Sequence, residues 1–201
     1  MATSSAQPTR DPFRMDHYVA RRKVLTLFAP MFHNYDEEGN LVCFVKQKAF
    51  KLKEDIRIFS DEAMTSELLL IQARQIIDFS AAYDVIESRS GQKVGALKRR
   101  GWKSVFQDEW ILMDTADNEI GRIKEDSALL ATLRRFLTNL IPQSYNYTVR
   151  DSVVGTVKQA FNPFVLKCRV DFSADPGGSL LDRRLGLASV ILLLAIEGRQ
   201  Q

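Results

Sequence analysis

The sequence predicts a mainly β protein, a closed antiparallel barrel of about twelve strands around one central hydrophobic helix. The first observation is a repeat, in which an aliphatic residue at the end of a strand-like run is followed by a basic or amide residue. These pairs are Val45-Lys46, Ile71-Gln72, Leu97-Lys98, Ile123-Lys124 and Val157-Lys158. The first four pairs are spaced by 26 residues and the last by 34. About 26 residues accommodate two short strands with their turns, so most of the chain repeats one hairpin.

The second observation is an apolar segment near the C-terminus, residues 185–196, which contains no charged residue. Its 12 residues would form a helix of about 18 Å, whereas a bilayer core needs about 30 Å. We therefore expect a buried helix and no membrane span. The third observation is the count of strand-like runs, about a dozen, which exceeds what an open twisted sheet usually holds. Such a sheet closes into a barrel that is wide enough to surround a helix that is apolar on every side.

The hairpin turns fall between the repeated strands. Residues 34–40 are rich in types that tolerate a positive φ, and they precede a strand over residues 41–48. In a later copy residues 88–91 form the turn, and in the next copy we expect Asn118 near the left-handed position. The run at residues 67–71 could be helical alone, but its place in the 26-residue register favours a strand.

Alternation is clearest late in the chain, where one face of a predicted strand is apolar and the other is mostly charged. The apolar face carries Phe164, Leu166, Cys168, Val170 and Phe172. The opposite face carries Val165, Lys167, Arg169 and Asp171. This pattern is typical of a strand with one buried face.

An amphipathic helix is predicted over residues 126–140, with Asp126 or Ser127 as its N-cap. We expect it to cover one mouth of the barrel. A position on a membrane surface is the alternative, and it is less favoured because the polar face of the helix carries few cations.

The central helix is predicted over residues 180–197 and ends before Gly198. Ser179 and Asp182 have the spacing of a capping box at its start, where both side chains can satisfy exposed amide groups.

One position of the repeat carries a small residue. Gly95, Gly121 and Gly155 occupy it in three copies, and Cys43 occupies it in the first. We therefore expect Cys43 to be buried. Together with Cys168 it makes two cysteines, which are too few for a disulfide scaffold and suit a reducing compartment.

Length and composition indicate a single domain over residues 15–201, preceded by a polar, disordered tail over residues 1–14. The 28 basic and 25 acidic residues leave a net charge of +3, which is too small to indicate nucleic acid as a partner. The first dozen residues contain no apolar stretch that could serve as a secretory signal. We therefore expect a cytoplasmic protein, and we expect it to be a monomer.

Several motifs together carry a family resemblance. The first motif is a turn followed by Gly, any residue, an aliphatic residue and Lys, and it occurs at residues 95–98, 121–124 and 155–158. The second is a Phe-x-Leu strand at residues 50–52, and the third is the hydrophobic helix near the C-terminus. On these motifs the chain resembles the tubby-like superfamily, in the branch that includes the LURP-one-related proteins, the bacterial YxjI-type proteins and the phospholipid scramblases. The resemblance covers about residues 15–198. It implies a closed β-barrel around a central C-terminal helix.

The resemblance also implies an association with membranes, since members bind phosphoinositide headgroups through basic residues or act on phospholipids. In scramblases an acidic calcium-binding segment leads into the final helix, and Asp171, Asp175 and Asp182 occupy the comparable stretch here. The dense acidic and Asn pattern of that segment is absent from this stretch. For these three aspartates we favour a loop and a helix cap over a calcium site.

The sequence gives no support for an enzyme. His17 and His33 have no Cys, His or carboxylate at metal-ligand spacing. Residues 114–119 superficially resemble a calcium loop, but turn chemistry explains them. A nucleophile elbow, a phosphate-binding Gly loop and a metalloprotease motif are all absent. We expect no catalytic residue, cofactor or metal.

The candidate binding residues are basic. They are Lys46, Lys48, Lys98, Arg99, Arg100, Lys103, Arg183 and Arg184. Clustered cations beside an aromatic residue, here Trp102, suit the anionic surface of a phospholipid membrane. The alternative is that these are only the charged hairpin ends that any soluble barrel exposes.

Three functional hypotheses follow. The leading one is a non-enzymatic barrel that binds phospholipid headgroups or docks peripherally on membranes. The second is a protein-interaction scaffold in which the helix at residues 126–140 covers a groove for a protein partner. The third is calcium-dependent phospholipid scrambling.

Overall fold

The structure, a computed structural model, describes residues 11–23, 31–47, 55–74, 82–100, 109–126, 143–160 and 165–197. The amphipathic helix predicted over residues 126–140 lies outside these residues except for Asp126, and so do the first ten residues of the predicted tail. The end of that tail differs from expectation, because Pro12–Arg14 forms a 3-10 turn in which Pro12 is buried. The Asp11 carboxylate accepts from the Phe13 amide at 2.9 Å, and the Tyr18 hydroxyl donates to the Met15 carbonyl at 2.8 Å.

The fold is a closed antiparallel barrel of 12 strands, as predicted. Consecutive strands pair with each other, and β1 pairs with β12 to close the barrel. The strands are β1 (His17–Lys23), β2 (Met31–Tyr35), β3 (Leu41–Gln47), β4 (Ile56–Phe59), β5 (Glu67–Ala73), β6 (Ala82–Glu87), β7 (Lys93–Arg99), β8 (Glu109–Met113), β9 (Glu119–Glu125), β10 (Ser144–Val149), β11 (Ser152–Ala160) and β12 (Val165–Asp171).

The repeated pairs have one structural role. All five lie in odd-numbered strands, from β3 to β11. The aliphatic member points into the barrel and is at most 3% exposed in every copy. The polar member therefore points outward, because successive side chains on a strand alternate between its two faces. Each repeat pair thus consists of one inward-facing and one outward-facing residue of a hairpin. The strand predicted at residues 67–71 is confirmed as part of β5.

The central helix is confirmed, but it begins later than predicted. It is α1 (Arg183–Glu197), and from Leu185 to Ala195 every residue is buried. Asp182 is its N-cap, because the Asp182 carbonyl accepts from the Gly186 amide at 2.9 Å and its carboxylate accepts from the Arg184 amide at 2.9 Å. The predicted capping role of Ser179 is wrong, since its hydroxyl donates to the Asp175 carboxylate at 2.7 Å.

The direction of α1 distinguishes the two ends of the barrel. Near the start of α1, Arg183 contacts Asp16, which immediately precedes β1. Near the end of α1, the Leu194 carbonyl accepts from Arg22, which lies near the end of β1. We call the end where α1 begins the lower end and the other the upper end. The turns that join β2 to β3, β4 to β5, β6 to β7, β8 to β9 and β10 to β11 all lie at the lower end.

A left-handed residue occupies several lower-end turns. Gly39 and Gly91 have φ of 89° and 67°. In the turn between β8 and β9 the left-handed residue is Asp117, with φ of 67°, and the prediction for Asn118 is wrong by one residue. Asn118 instead donates its amide to the Asp114 carboxylate, both from the backbone at 2.9 Å and from the side chain at 3.0 Å.

Small residues on the wall make room for the helix and for the neighbouring chain. A Cβ at Gly95 would lie 2.6 Å from the Met113 carbonyl oxygen and 3.1 Å from the Leu185 side chain. Cys43 is fully buried, as predicted from its equivalence to this glycine. Both thiols are free, and burial raises the pKa of Cys43 and of Cys168 to about 12.

Among the described residues, no helix combines the length and the apolar composition that crossing a bilayer requires.

Candidate anion-binding surface

Four cations meet on the outer wall where the barrel closes. Strand alternation directs Lys158 of β11, Lys167 and Arg169 of β12, and Arg21 of β1 away from the interior. Lys158 lies directly opposite Arg169, and Lys167 lies directly opposite Arg21. We call these four residues the basic patch.

Each of the two pairs places like charges side by side. Residues directly opposite in antiparallel strands have Cβ atoms about 4.5–5.5 Å apart, and like charges there destabilise the sheet. Lys167 and Arg169 stand two residues apart on the same face, so the two pairs are neighbours. A compact surface of four positive charges results.

The basic patch has little internal compensation. Within the described ranges, no carboxylate lies within salt-bridge distance of Lys158, Lys167 or Arg169. The Arg21 guanidinium lies over the Tyr35 ring at 4.8 Å, which fixes its position without neutralising its charge. Arg21, Lys158 and Arg169 are exposed, and Lys167 is half-buried. The repulsion between these groups would be relieved by a bound anion.

Asp171 is the acidic residue nearest to this surface along β12, and its carboxylate is already engaged. The Ser173 hydroxyl and amide donate to it at 2.6 and 2.9 Å, and His17 lies 3.6 Å away. The Ser173 hydrogen bonds, followed by the charges of His17 and Lys158, hold the pKa of Asp171 below its usual value. It therefore stays ionised and lowers the potential only at the lower edge of the patch.

A second basic cluster is partly neutralised, because three cations share one carboxylate. Glu109 at the start of β8 lies 3.1 Å from Arg100, 3.2 Å from Arg122 and 3.6 Å from Lys124. Partial burial raises the pKa of Glu109, but the hydrogen bond from Arg100 and the neighbouring cations outweigh it and hold the pKa below its usual value. Arg122 also bonds Glu119 at 2.5 Å.

This cluster borders a groove of about 540 Å³ along β9 and β10. The groove is lined by Glu119, Ile120, Gly121, Arg122, Lys124, Thr148, Arg150 and Asp151. The lining carries two acidic and three basic side chains, and the neighbouring Glu109 brings the acidic count to three, so the groove carries less net charge than the basic patch.

The predicted basic residues are distributed over several surroundings. Lys46 on β3 is exposed, Lys98 and Arg99 on β7 are half-buried, and Arg100 pairs with Glu109 as described above. Lys48 and Lys103, together with the aromatic Trp102, lie outside the described residues. Lys98, Arg99 and Arg100 are adjacent at the upper end of β7, whereas Lys46 is on a different side of the barrel.

Arg183 is used inside the fold. The exposed fraction of its side chain is 2%, and its guanidinium bonds Asp16 at 2.6 Å, the Phe172 carbonyl at 3.0 Å and the Asp175 carbonyl. It also lies 3.5 Å from the Asp175 carboxylate and over the Phe172 ring at 5.2 Å. These contacts lock the start of α1 to the lower end of the barrel.

Arg184 points the other way and bridges two acids. It bonds Asp182 at 2.6 Å and Glu87 of β6 at 3.1 Å. Its charge is therefore balanced locally, and neither Arg183 nor Arg184 belongs to the basic patch.

The three aspartates near α1 have separate structural roles, in agreement with the loop and helix-cap interpretation. Asp171 binds Ser173, Asp182 caps α1, and the buried Asp175 carboxylate accepts from the amides of Leu180 at 3.0 Å and Leu181 at 2.8 Å. Across the described part of the chain, no three His, Cys, Asp or Glu side chains are grouped so that they could hold a metal ion.

The other residues singled out in the sequence are likewise accounted for by local contacts. His33 lies 3.0 Å from Glu62, stacked on Tyr35. The loop at residues 114–119 is a turn built on Asp114, as the turn interpretation predicts, with the Ala116 amide donating to the Asp114 carboxylate at 2.9 Å.

Sequence reasoning did not identify the basic patch as a site. Alternation already placed Lys167 and Arg169 on the polar face of one strand, and Lys158 was the polar member of the last repeat. What was missing is the pairing of β12 with both β11 and β1, because it joins residues from opposite ends of the chain.

Comparison with known proteins identifies a family to which the chain belongs. A family model described as LURP-one-related matches residues 41–193, a range that starts at the first residue of β3 and ends within α1. No curated protein matches the chain.

Proposed function

Because this chain belongs to the LURP-one-related family, whose model matches residues 41–193, we propose that it is a non-enzymatic barrel that docks peripherally on anionic phospholipid membranes. The observation that carries this proposal is the basic patch, Arg21, Lys158, Lys167 and Arg169, in which residues of like charge lie directly opposite each other in two neighbouring pairs. Phospholipid phosphates at a bilayer surface supply negative charge that this surface lacks.

The strength of such docking follows from the number of cations near the lipid. Each Lys or Arg close to an anionic bilayer strengthens binding about fivefold, and the effect falls off within a Debye length, about 8 Å at physiological ionic strength. Four cations on one patch therefore predict binding that is measurable at low salt and weak at high salt.

The test is sedimentation with vesicles of phosphatidylcholine, with and without phosphatidylserine. We expect binding only to the phosphatidylserine vesicles, and we expect the double variant Lys167→Glu with Arg169→Glu to lose at least about tenfold in affinity. The control is Arg14→Glu with Arg89→Glu, which makes the same change in net charge at two exposed lower-end positions. Circular dichroism shows whether each variant is folded.

Two results would contradict the proposal. One is no binding of the wild type to phosphatidylserine vesicles at low salt. The other is an equal loss for the patch variant and its control, because the effect would then come from net charge alone. Capture of a protein partner without vesicle binding would favour the interaction scaffold instead.

Calcium-dependent scrambling is not part of the proposal. Each of Asp171, Asp175 and Asp182 is hydrogen-bonded within its own turn or cap, and a shared ion would have to replace these bonds. We expect vesicle binding to be the same with calcium and with a chelator.

A further inference from the structure

The polar members of the repeat occupy equivalent places on the barrel. Each lies near the upper end of an odd-numbered strand and points outward, and β1 contributes Arg21 at the same place. Five of these six residues are exposed and Lys98 is half-buried. We call this set the cation belt, and it consists of Arg21, Lys46, Gln72, Lys98, Lys124 and Lys158.

The cation belt is a closed ring. From Lys46, the paired residues across the next two strands are Arg57 and Leu70, and Gln72 lies two residues further toward the upper end. The same step of two strands and two residues leads from each belt residue to the next. It continues from Lys158 through Arg169 and Val19 to Arg21, and from there back to Lys46.

All residues of the cation belt lie at one level along the barrel axis. Strands in a closed barrel are tilted, and the hydrogen-bond register shifts by a fixed stagger from strand to strand. Because the belt follows that stagger all the way around and returns to its starting residue, its six members share one level near the upper end. The repeated hairpins, together with Arg21 of β1, therefore place five positive charges around one end of the barrel.

The opposite end is acidic. The turns at the lower end carry seven exposed or half-buried acidic residues, which are Glu37, Glu38, Asp61, Glu62, Asp114, Asp117 and Asp151. Among the described residues of the same turns, the basic side chains are Arg89 and Arg150. Asp117 is paired with Lys93 and Arg74, but the other six acidic side chains still outnumber the two basic ones. Over the described ranges the barrel is therefore polarised along its axis.

Among the residues that the structure describes, the acidic side chains near the upper end do not cancel the belt. Glu109 is shared by three cations and its side chain is 16% exposed, and Glu125 is 7% exposed. Asp126 accepts from the Asn146 side chain at 2.7 Å, and Asp55 precedes β4. Arg22 donates to the Leu194 carbonyl there, which also offsets the partial negative charge at the end of α1.

We propose that the barrel meets an anionic bilayer end-on, with the cation belt toward the lipid and the acidic turns facing away. This inference rests on the proposed function, and it adds the orientation and the five belt cations. Charge asymmetry orients a molecule in the field of a charged surface, since the opposite orientation brings the acidic turns against the phosphates.

End-on docking and side-wall docking predict different distances between Gln72 and the lipid. Around the ring of strands, β5 is five strands from β12 in one direction and seven in the other. Gln72 on β5 would therefore point away from the lipid if the basic patch alone rested on it. In end-on docking Gln72 lies at the same level as the belt cations and close to the headgroups.

The experiment uses two single-cysteine variants of the full chain, Gln72→Cys and Ala63→Cys. Gln72 is exposed near the upper end of β5, and Ala63 is exposed in the lower-end turn that precedes the same strand. Neither substitution changes the charge. The two native thiols are buried with a raised pKa, so a maleimide fluorophore at neutral pH attaches to the introduced cysteine.

Each labelled protein is mixed with phosphatidylserine vesicles that carry a nitroxide quencher on a lipid headgroup. We expect strong quenching at position 72 and little at position 63. Three results overturn end-on docking and leave the proposed function standing, provided that the protein sediments with the vesicles. They are equal quenching at the two positions, stronger quenching at position 63, and no quenching at either position. No sedimentation overturns both.

A charge-matched pair of variants gives an independent measure. Lys46→Gln converts a belt position that is outside the basic patch into the residue that Gln72 already provides. We expect it to weaken vesicle binding about fivefold, and we expect Arg89→Gln at the lower end to leave it unchanged. An equal effect of the two substitutions would contradict end-on docking.

Discussion

The Arg22 guanidinium donates to the Leu194 carbonyl at 3.0 Å, which ties β1 to the last turns of α1 across 172 residues of sequence. Arg22 is a buried cation, 8% exposed, and it lies over the Phe32 ring at 5.3 Å. It points inward because its position on β1 has the parity of Tyr18 and Ala20. A cation at the C-terminal end of a helix also interacts favourably with the helix dipole.

Replacing this cation should destabilise the fold. Arg22→Met keeps the volume but leaves the Leu194 carbonyl without its donor, so we expect a loss of about 1–3 kcal/mol in the free energy of unfolding. Urea denaturation measures it. The control is Arg21→Met on the outer face of the same strand, for which we expect a change within about 0.5 kcal/mol. Equal losses would show that Arg22 has no special role at the helix end.

The Arg183 contacts should matter more than those of Arg184. Arg183→Met leaves the buried Asp175 carboxylate without its cation, and removing one partner of a buried ion pair costs about 3–5 kcal/mol. Arg184→Met affects a half-exposed pair, for which we expect about 1 kcal/mol or less. Thermal unfolding of the two variants gives the comparison. A smaller loss for Arg183→Met than for Arg184→Met would contradict the proposed lock at the lower end.

Asp175 should make stability depend on pH. Burial raises the pKa of its carboxyl, but the Leu181 amide, the Ser179 hydroxyl and the Leu180 amide outweigh it and hold the pKa below the usual value. A carboxyl with a lowered pKa in the folded state stabilises the fold above its unfolded pKa, about 3.9, and that contribution is lost as the pH falls through the lower folded value.

The matching measurement compares the wild type with Asp175→Asn. We expect the wild type to be more stable at pH 7, and we expect the difference to shrink as the pH falls below about 4. Guanidinium denaturation at several pH values between neutral and acidic gives the difference directly. A difference that stays constant over this range would show that the Asp175 charge does not contribute.

The two cysteines should be unreactive in the folded protein. Cys43 and Cys168 are 0% and 5% exposed, and the pKa of each thiol is raised to about 12, so few thiolates form at pH 8 and none is accessible. A chromogenic disulfide reagent should react with neither thiol in native buffer and with both in denaturant. Rapid reaction in native buffer would contradict their burial, and a surface cysteine such as Gln72→Cys is the positive control.

The wall of the barrel could be predicted from local patterns. Cys168 and Val170 are buried and Arg169 is exposed, as alternation predicted, because a strand that faces a core must alternate. The repeated aliphatic residues were recognisable for the same reason. The start of α1 could not be placed, since the segment before the Asp182 cap is held by the buried Asp175 and by Arg183, whose other partner, Asp16, is distant in the sequence.

The binding surfaces depend on register, which local patterns do not contain. Lys167 was placed on the polar face of its strand and Lys158 was the polar member of a repeat pair, but their proximity to Arg21 requires β1 to pair with β12. The cation belt is similar, because its period was evident in the sequence while its common height follows from the stagger of the strands. Arg183 illustrates the reverse case, a basic residue whose partners place it in the interior.

The pairing of β1 with β12 also sets when this protein can fold in the cell. During synthesis β1 leaves the ribosome early and keeps an unpaired edge until residue 171 has emerged, and α1 follows only after that. An open sheet with an uncovered apolar face is prone to aggregate, and pairing between distant segments is slow. We therefore expect the growing chain to be most prone to aggregation before β12 has emerged.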